Sequence, residues 1–170
     1  WCAGFYLCDN GADTFIYAVA GNSGGSNIDT ITDFNEALGD VIKVTISAAQ
    51  IEAWYGDTAA TSTTFNFSAA DLGDQANLAE AGAILTGNIG EAVFITDLNQ
   101  LAIDYDGNGV INSTDLRINL TGKTAYDDAS VAYILATDAD TARTYTMGDG
   151  ADSVTGGAAA DTITGNGGND

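Results

Sequence analysis

Acidic side chains recur at fixed spacings along this 170-residue chain, and oxygen ligation of a hard cation is the chemistry such spacings serve. Asp152, Asp161 and Asp170 fall nine residues apart, and each closes a glycine-rich run. The runs align in phase as Met147-Gly-Asp-Gly-Ala-Asp-Ser-Val-Thr155, Gly156-Gly-Ala-Ala-Ala-Asp-Thr-Ile-Thr164 and Gly165-Asn-Gly-Gly-Asn-Asp170. The shared template is G-G-x-G-x-D-x-U-x, with U apolar. Its first six positions must make a tight turn whose backbone carbonyls and one carboxylate face an ion. Glycine tolerates the positive φ and close approach this needs, and aspartate offers the short anionic oxygen that Ca²⁺ prefers. The candidate ligands are Gly148, Asp149, Gly150 and Asp152 in the first run and Gly156, Gly157, Ala159 and Asp161 in the second. Gly165, Asn166, Gly167, Gly168 and Asp170 follow in the third. Ala159 stands where the template has its fourth-position glycine.

The same template returns near the other end. Cys8-Asp-Asn-Gly-Ala-Asp-Thr-Phe-Ile16 fits it with Asp9, Asn10, Gly11 and Asp13, and Gly24-Gly-Ser-Asn-Ile-Asp-Thr-Ile-Thr32 fits it with Gly24, Gly25 and Asp29. The closing x-U-x should form a short strand whose middle residue turns inward: Phe15, Ile31, Val154 and Ile163. No copy is stable alone, because its apolar residue and half-site need a neighbouring turn. These runs resemble the RTX nonapeptide repeats of proteins exported by Gram-negative type I secretion. The resemblance implies calcium-binding parallel β-roll segments, with several Ca²⁺ ions held between the loops of stacked turns. Residues 11–43, from Gly11-Ala-Asp-Thr-Phe through Asp29-Thr-Ile-Thr-Asp-Phe to Gly39-Asp-Val-Ile, resemble the block that closes many RTX arrays of the serralysin C-terminal and surface-layer kind. That likeness implies calcium ligands at Asp13 and Asp29, joined by Asp33 and Asp40.

A second constellation lies mid-chain, in Asp104-Tyr-Asp106-Gly-Asn108-Gly109-Val110-Ile111-Asn112-Ser-Thr-Asp115. It matches the twelve-residue EF-hand loop, with side-chain oxygens from Asp104, Asp106 and Asn108 at positions 1, 3 and 5. Gly109 takes position 6, the Val110 carbonyl position 7, and the Asp115 carboxylate position 12, while Asn112 lines the loop. Ile111 supplies an apolar anchor. A strand precedes the loop where an EF-hand has a helix, and position 12 is Asp, not Glu. The loop therefore resembles the dockerin-type or single-loop variant, a structural clip and not a switching pair. The competing reading is an Asp/Asn/Gly hairpin turn without metal.

These loops need strands to position them. Val41–Ser47 and Thr63–Ser68 alternate polar and apolar residues as strands do. Glu91–Thr96 and Leu101–Tyr105 read as a hairpin around Asp97-Leu-Asn-Gln, and Leu116–Leu120 as a third strand. Ala48–Tyr55, Gln75–Leu85 and Asp128–Leu135 read as short helices. The expected fold is mainly β: an RTX-like segment at 1–43, a β-rich centre at 44–146 carrying the EF-like loop, and C-terminal repeats at 147–170.

Composition narrows the function. Twenty-four acidic residues against 4 basic ones give a net charge of −20, which repels nucleic acid and anionic membranes and attracts cations. With 45% hydrophobic residues the chain still holds enough apolar surface to fold. The coherent reading is conditional folding, expanded without Ca²⁺ and compact with it. Histidine is absent, which removes the commonest acid/base and every Ser-His or Cys-His pair, so no enzyme is expected. Trp1-Cys-Ala-Gly-Phe-Tyr-Leu lacks the basic flank of a signal peptide, and no apolar run is long enough to insert in a membrane. Cys2 and Cys8 are close enough in sequence to bridge, to remain free thiols or to link molecules. The expected setting is extracellular or at the cell surface of a Gram-negative-type bacterium. The expected role is a self-assembling surface-layer, sheath or filament subunit, in which head-to-tail contact completes a last turn that stops at Asp170. The alternative is a passive calcium-binding module of a longer secreted adhesin, toxin or enzyme.

Overall fold

The computed structural model describes residues 5–6, 11–18, 23–55, 64–66, 71–126, 131–136 and 142–170. Cys2, Cys8, Asp9 and Asn10 lie outside the described residues. Within them the chain is mainly β. Strands β1 (Phe5–Tyr6), β2 (Thr14–Tyr17), β3 (Asp29–Ile31), β4 (Val41–Ile46), β5 (Thr64–Asn66) and β6 (Asp71–Gln75) come first. Next come β7 (Glu91–Ile95), β8 (Gln100–Asp104), β9 (Leu116–Leu120) and β10 (Val131–Ala136), then β11 (Thr144–Thr146), β12 (Ser153–Thr155) and β13 (Thr162–Thr164). Helix α1 spans Ala48–Tyr55 and α2 spans Leu78–Ile84.

The strands form three sheets, ordered β1-β3-β9-β8-β7-β6, β12-β10-β4-β2 and β13-β11-β5. Pairing is parallel except in the meander β7-β8-β9. β4 buries Ile42, Val44 and Ile46 and leaves Val41, Lys43 and Thr45 half-buried, the alternation its sequence carries. Every residue of β7 and β8 is buried. Phe94, Leu101 and Ile103 face a large core that also takes Phe15, Ile31, Tyr133 and Tyr145, with Val154 packed against it. Val93, Ile95 and Ala102 face the other way, onto Ala81 and Ile84 of α2 and onto Ile111. The three sequence segments thus close one main core. Asn77 starts α2 by accepting the amides of Ala79 and Glu80 at 3.0 and 3.1 Å. Asn99, at φ +48°, closes the β7–β8 turn in the left-handed region where asparagine is tolerated.

Two expectations are corrected. The helix read over Asp128–Leu135 is β10 from Val131 onward. Val131-Ala-Tyr-Ile-Leu-Ala is apolar enough for either state, and the slot between β4 and β12 decides it: Tyr133 pairs with Val44, and Leu135 with both Ile46 and Val154. Ile163 does not turn into the core. It sits on β13, an edge strand, and is 45% exposed. Phe15, Ile31 and Val154 do pack inward as expected.

Candidate metal centre

Strands β8 and β9 hold the two ends of the Asp104–Asp115 loop. Asp104 is the last residue of β8, and Asp115 immediately precedes β9. The antiparallel register, Ile103 against Leu116, brings those ends side by side. One carboxylate oxygen each from Asp104, Asp106 and Asp115 lies within 4.8 Å of the other two, with Asp104 and Asp115 buried. Among the described residues this is the one group of three acidic or cysteine side chains so placed.

Backbone amides set the carboxylates in place. Asp104 accepts from Asn108 N–H at 3.1 Å and from Gly109 N–H at 2.7 Å, one bond to each oxygen. Asp115 accepts from Tyr105 N–H at 2.9 Å and Asn112 N–H at 2.7 Å. Asp106 accepts from Asn108 N–H at 3.2 Å and the Thr114 hydroxyl at 2.7 Å. Gly109 stands at φ +78°, the left-handed turn that position 6 demands. Asn108 turns its Oδ1 to Val110 N–H at 2.9 Å, and Asn112 donates to the Val110 carbonyl at 3.2 Å. An ionised carboxylate has about four acceptor sites, so each acid keeps lone pairs free for a cation. Three acids so close, two of them buried, repel one another when ionised, and a proton or a cation would relieve that repulsion.

The electrostatics agree. Burial first, then the charges of Asp115 and Asp106, pushes the Asp104 carboxyl up to about 7 against the opposing pull of the Gly109 and Asn108 amides. Burial, with the Asp106 charge adding to it, pushes Asp115 up to about 6. Both lie above the usual 3.8, so their contribution to the metal-free fold is complete below about pH 3.8 and is lost as pH rises through about 6–7. Melts in chelator are therefore expected to show a midpoint that falls from pH 5 to pH 8. A flat or rising midpoint would show that the two carboxyls are not confined as described.

Contacts with residues outside the twelve brace the loop, and nothing in the spacing of the sequence marks those residues. The Tyr105 hydroxyl lies 3.0 Å from the Ala18 carbonyl and 2.9 Å from that of Thr45, and takes a bond from Gln50 at 2.6 Å. Glu91 is fully buried and gathers the amides of Thr86 and Gly87, at 2.7 and 3.1 Å, with the Asn88 side chain at 3.2 Å. The turn it organises lies on the loop: a Cβ on Gly87 would meet the Gly107 carbonyl at 3.4 Å.

The template aspartates are placed differently. Among the described residues they form no group of three, and several reach across to an amide of another turn. Asp152 accepts from Tyr133 N–H at 2.6 Å, Asp161 from Arg143 N–H at 3.1 Å, and Asp170 from Asp152 N–H at 3.0 Å. Asp40, buried, accepts from Asp13 N–H at 2.9 Å and Asn35 N–H at 2.8 Å. Asp149 accepts from Gly167 N–H at 3.2 Å, a separation of 18 residues, or two nonapeptides. β11 and β13 pair at that same separation, Tyr145 against Ile163. Gly150 and Gly168 are where turns touch: a Cβ on either would lie 2.0 Å from a carbonyl oxygen, that of Val131 or that of Gly150. Two template carboxylates have a buried oxygen, Asp13 Oδ2 and Asp152 Oδ2, with no hydrogen-bond partner among the described residues. A buried carboxylate oxygen left without a donor is costly when ionised, and a proton or a cation would relieve that cost. Asp152 is only 4% exposed, and its carboxyl is pushed up to about 6 by burial, with the nearby Asp170 charge adding to it.

The remaining candidates are scattered. Gly24 exchanges two 3.0 Å backbone bonds with Asn27, Gly25 (φ +59°) packs against Ser113, and Asp29 is buried in β3. Gly11, Asp33, Ala159 and Gly165 are half-buried, Gly148 is buried, and Gly156, Gly157 and Asn166 are exposed.

Compared with known proteins, the chain matches no family model, no curated protein and no solved structure. The site's own geometry is thus what bears on function. Among the described residues no helix is long and apolar enough to cross a membrane.

Proposed function

We propose that this chain is a calcium-dependent structural protein that works outside the cell, non-catalytic, with Ca²⁺ ions serving as folding clamps. The observation that carries this reading is the carboxylate group of Asp104, Asp106 and Asp115, two of them buried, set by loop amides with acceptor capacity to spare. The partnerless Oδ2 of Asp152 and of Asp13 extends it to the template turns. Asp104, Asp106 and Asp115 would hold one ion. Asp152 and Asp13 would help hold others between stacked turns, in the manner of an RTX β-roll. The ion's chemistry here is charge neutralisation: it lets acids enter an interior that their repulsion otherwise opposes.

The finer reading is self-assembly into a surface layer, sheath or filament. Its support is β13, an edge strand whose Ile163 is exposed and which pairs in parallel with β11, eighteen residues back. The same edge supports a second reading, a module of a longer secreted protein in which further turns cover it. Sedimentation separates them. Assembly predicts large species in about 1 mM Ca²⁺ that dissolve in chelator; a compact calcium-loaded monomer favours the module.

A further inference from the structure

A run of hydrogen bonds joins the two kinds of site, and its connecting members, Gly90 and Tyr133, are not candidate ligands. Gly90 N–H donates to the Asp104 carbonyl at 2.7 Å. The Gly90 carbonyl accepts from the Tyr133 hydroxyl. Tyr133 N–H then donates to Asp152 Oδ1 at 2.6 Å, and Asp152 N–H to Asp170 Oδ1 at 3.0 Å. Tyr133 therefore bonds the carboxylate of the template turn directly and reaches the strand end that carries Asp104 through Gly90. Tyr133 is fully buried in the centre of its sheet, between β4 and β12, where it has little freedom to absorb a shift at either end. Burial, with the Asp152 and Glu91 charges adding to it, pushes its hydroxyl's pKa far up, so it stays a donor across the accessible pH range.

We infer that Tyr133 is a positioning residue that couples the Asp104–Asp115 loop to the Asp152 turn, so that a cation bound at one raises affinity at the other. The inference rests on the calcium reading above. Its physical content is direct. A cation on Asp152 fixes the carboxylate that anchors Tyr133 N–H; the fixed ring holds Gly90, and Gly90 holds the Asp104 strand end. By linkage the effect runs equally in reverse.

The test is the calcium affinity of the loop, read by calorimetry, in wild type, Asp152→Asn, Tyr133→Phe and the double variant. Asparagine keeps an acceptor for Tyr133 N–H while removing the charge. The expected result is a loss of about fivefold in loop affinity from Asp152→Asn when Tyr133 is present, and less than about twofold in the Tyr133→Phe background. Equal losses in both backgrounds overturn the coupling. Amide exchange gives a second readout that needs no Tyr133 variant. In calcium, Asp104→Asn should speed exchange at the Tyr133 and Asp152 amides; unchanged rates there overturn the inference even if Tyr133→Phe does not fold. Wild type that binds calcium at both sites independently defeats the coupling alone. Wild type that binds none defeats the functional reading as well.

Discussion

Stripping calcium with a chelator is expected to lower the thermal unfolding midpoint by about 10–20 °C relative to the same protein in about 10 mM Ca²⁺. The size follows from linkage. Extracellular calcium modules bind with Kd on the order of 0.1–1 mM, and a site at hundredfold excess over its Kd adds about 2.7 kcal/mol to the folded state. The loop and the Asp152 turn together add about 5 kcal/mol, and in a domain of this size each kcal/mol moves the midpoint by about 2–4 °C. The sign is set by the acids. Asp104, Asp115 and Asp152 are buried and resist ionisation without a counter-ion, with carboxyls at about 7, 6 and 6. Calcium replaces their protons, so the shift should grow as pH rises from 5 to 8. Magnesium should do less, since it demands tighter octahedral geometry and sheds water reluctantly.

Asp104→Asn is expected to remove about half of that calcium-dependent shift while moving the midpoint in chelator by no more than about 3 °C. Asparagine keeps one oxygen for the Gly109 or Asn108 amide, whose bonds now go to separate oxygens of Asp104. It loses the anion that calcium needs. In chelator near neutral pH the wild-type carboxyl is already close to half neutral, so the substitution changes little there. Asp152→Asn should remove the other part of the shift. Asp97→Asn is the control: Asp97 is exposed in the β7–β8 turn, outside both ligand patterns, and should leave the shift intact. If all three variants behave alike, the acids act through net charge and not as ligands.

How much of this could be read from the sequence depends on the range of the interaction. The Asp104–Asp115 loop is readable because its acids are close in sequence. Spacing alone puts Asp104, Asp106 and Asp115 around one point once Gly109 takes its positive φ. The β7–β8 hairpin was readable for the same reason. The Val131–Ala136 strand was not, because its apolar run suits helix and strand equally, and β4, far away in sequence, chooses. Ile163 fits the inward position of its template, yet burial needs a neighbour, which sequence period alone does not place. Glu91 and Tyr133 were invisible as supports. Glu91 acts through a turn that touches the loop only after folding, and Tyr133 reaches Gly90 across 43 residues. Spacing reveals clustered acids, while the residues that hold them answer to the sheet.

The central claim is that calcium, bound by these buried acids, completes the fold. The most direct measurement is the far-UV circular dichroism of chelator-stripped protein, held just above its own unfolding midpoint, during titration with Ca²⁺. The predicted result is a large, saturable gain of β signal that excess EDTA reverses and that Asp104→Asn weakens. A spectrum that is the same in calcium and in EDTA would contradict it.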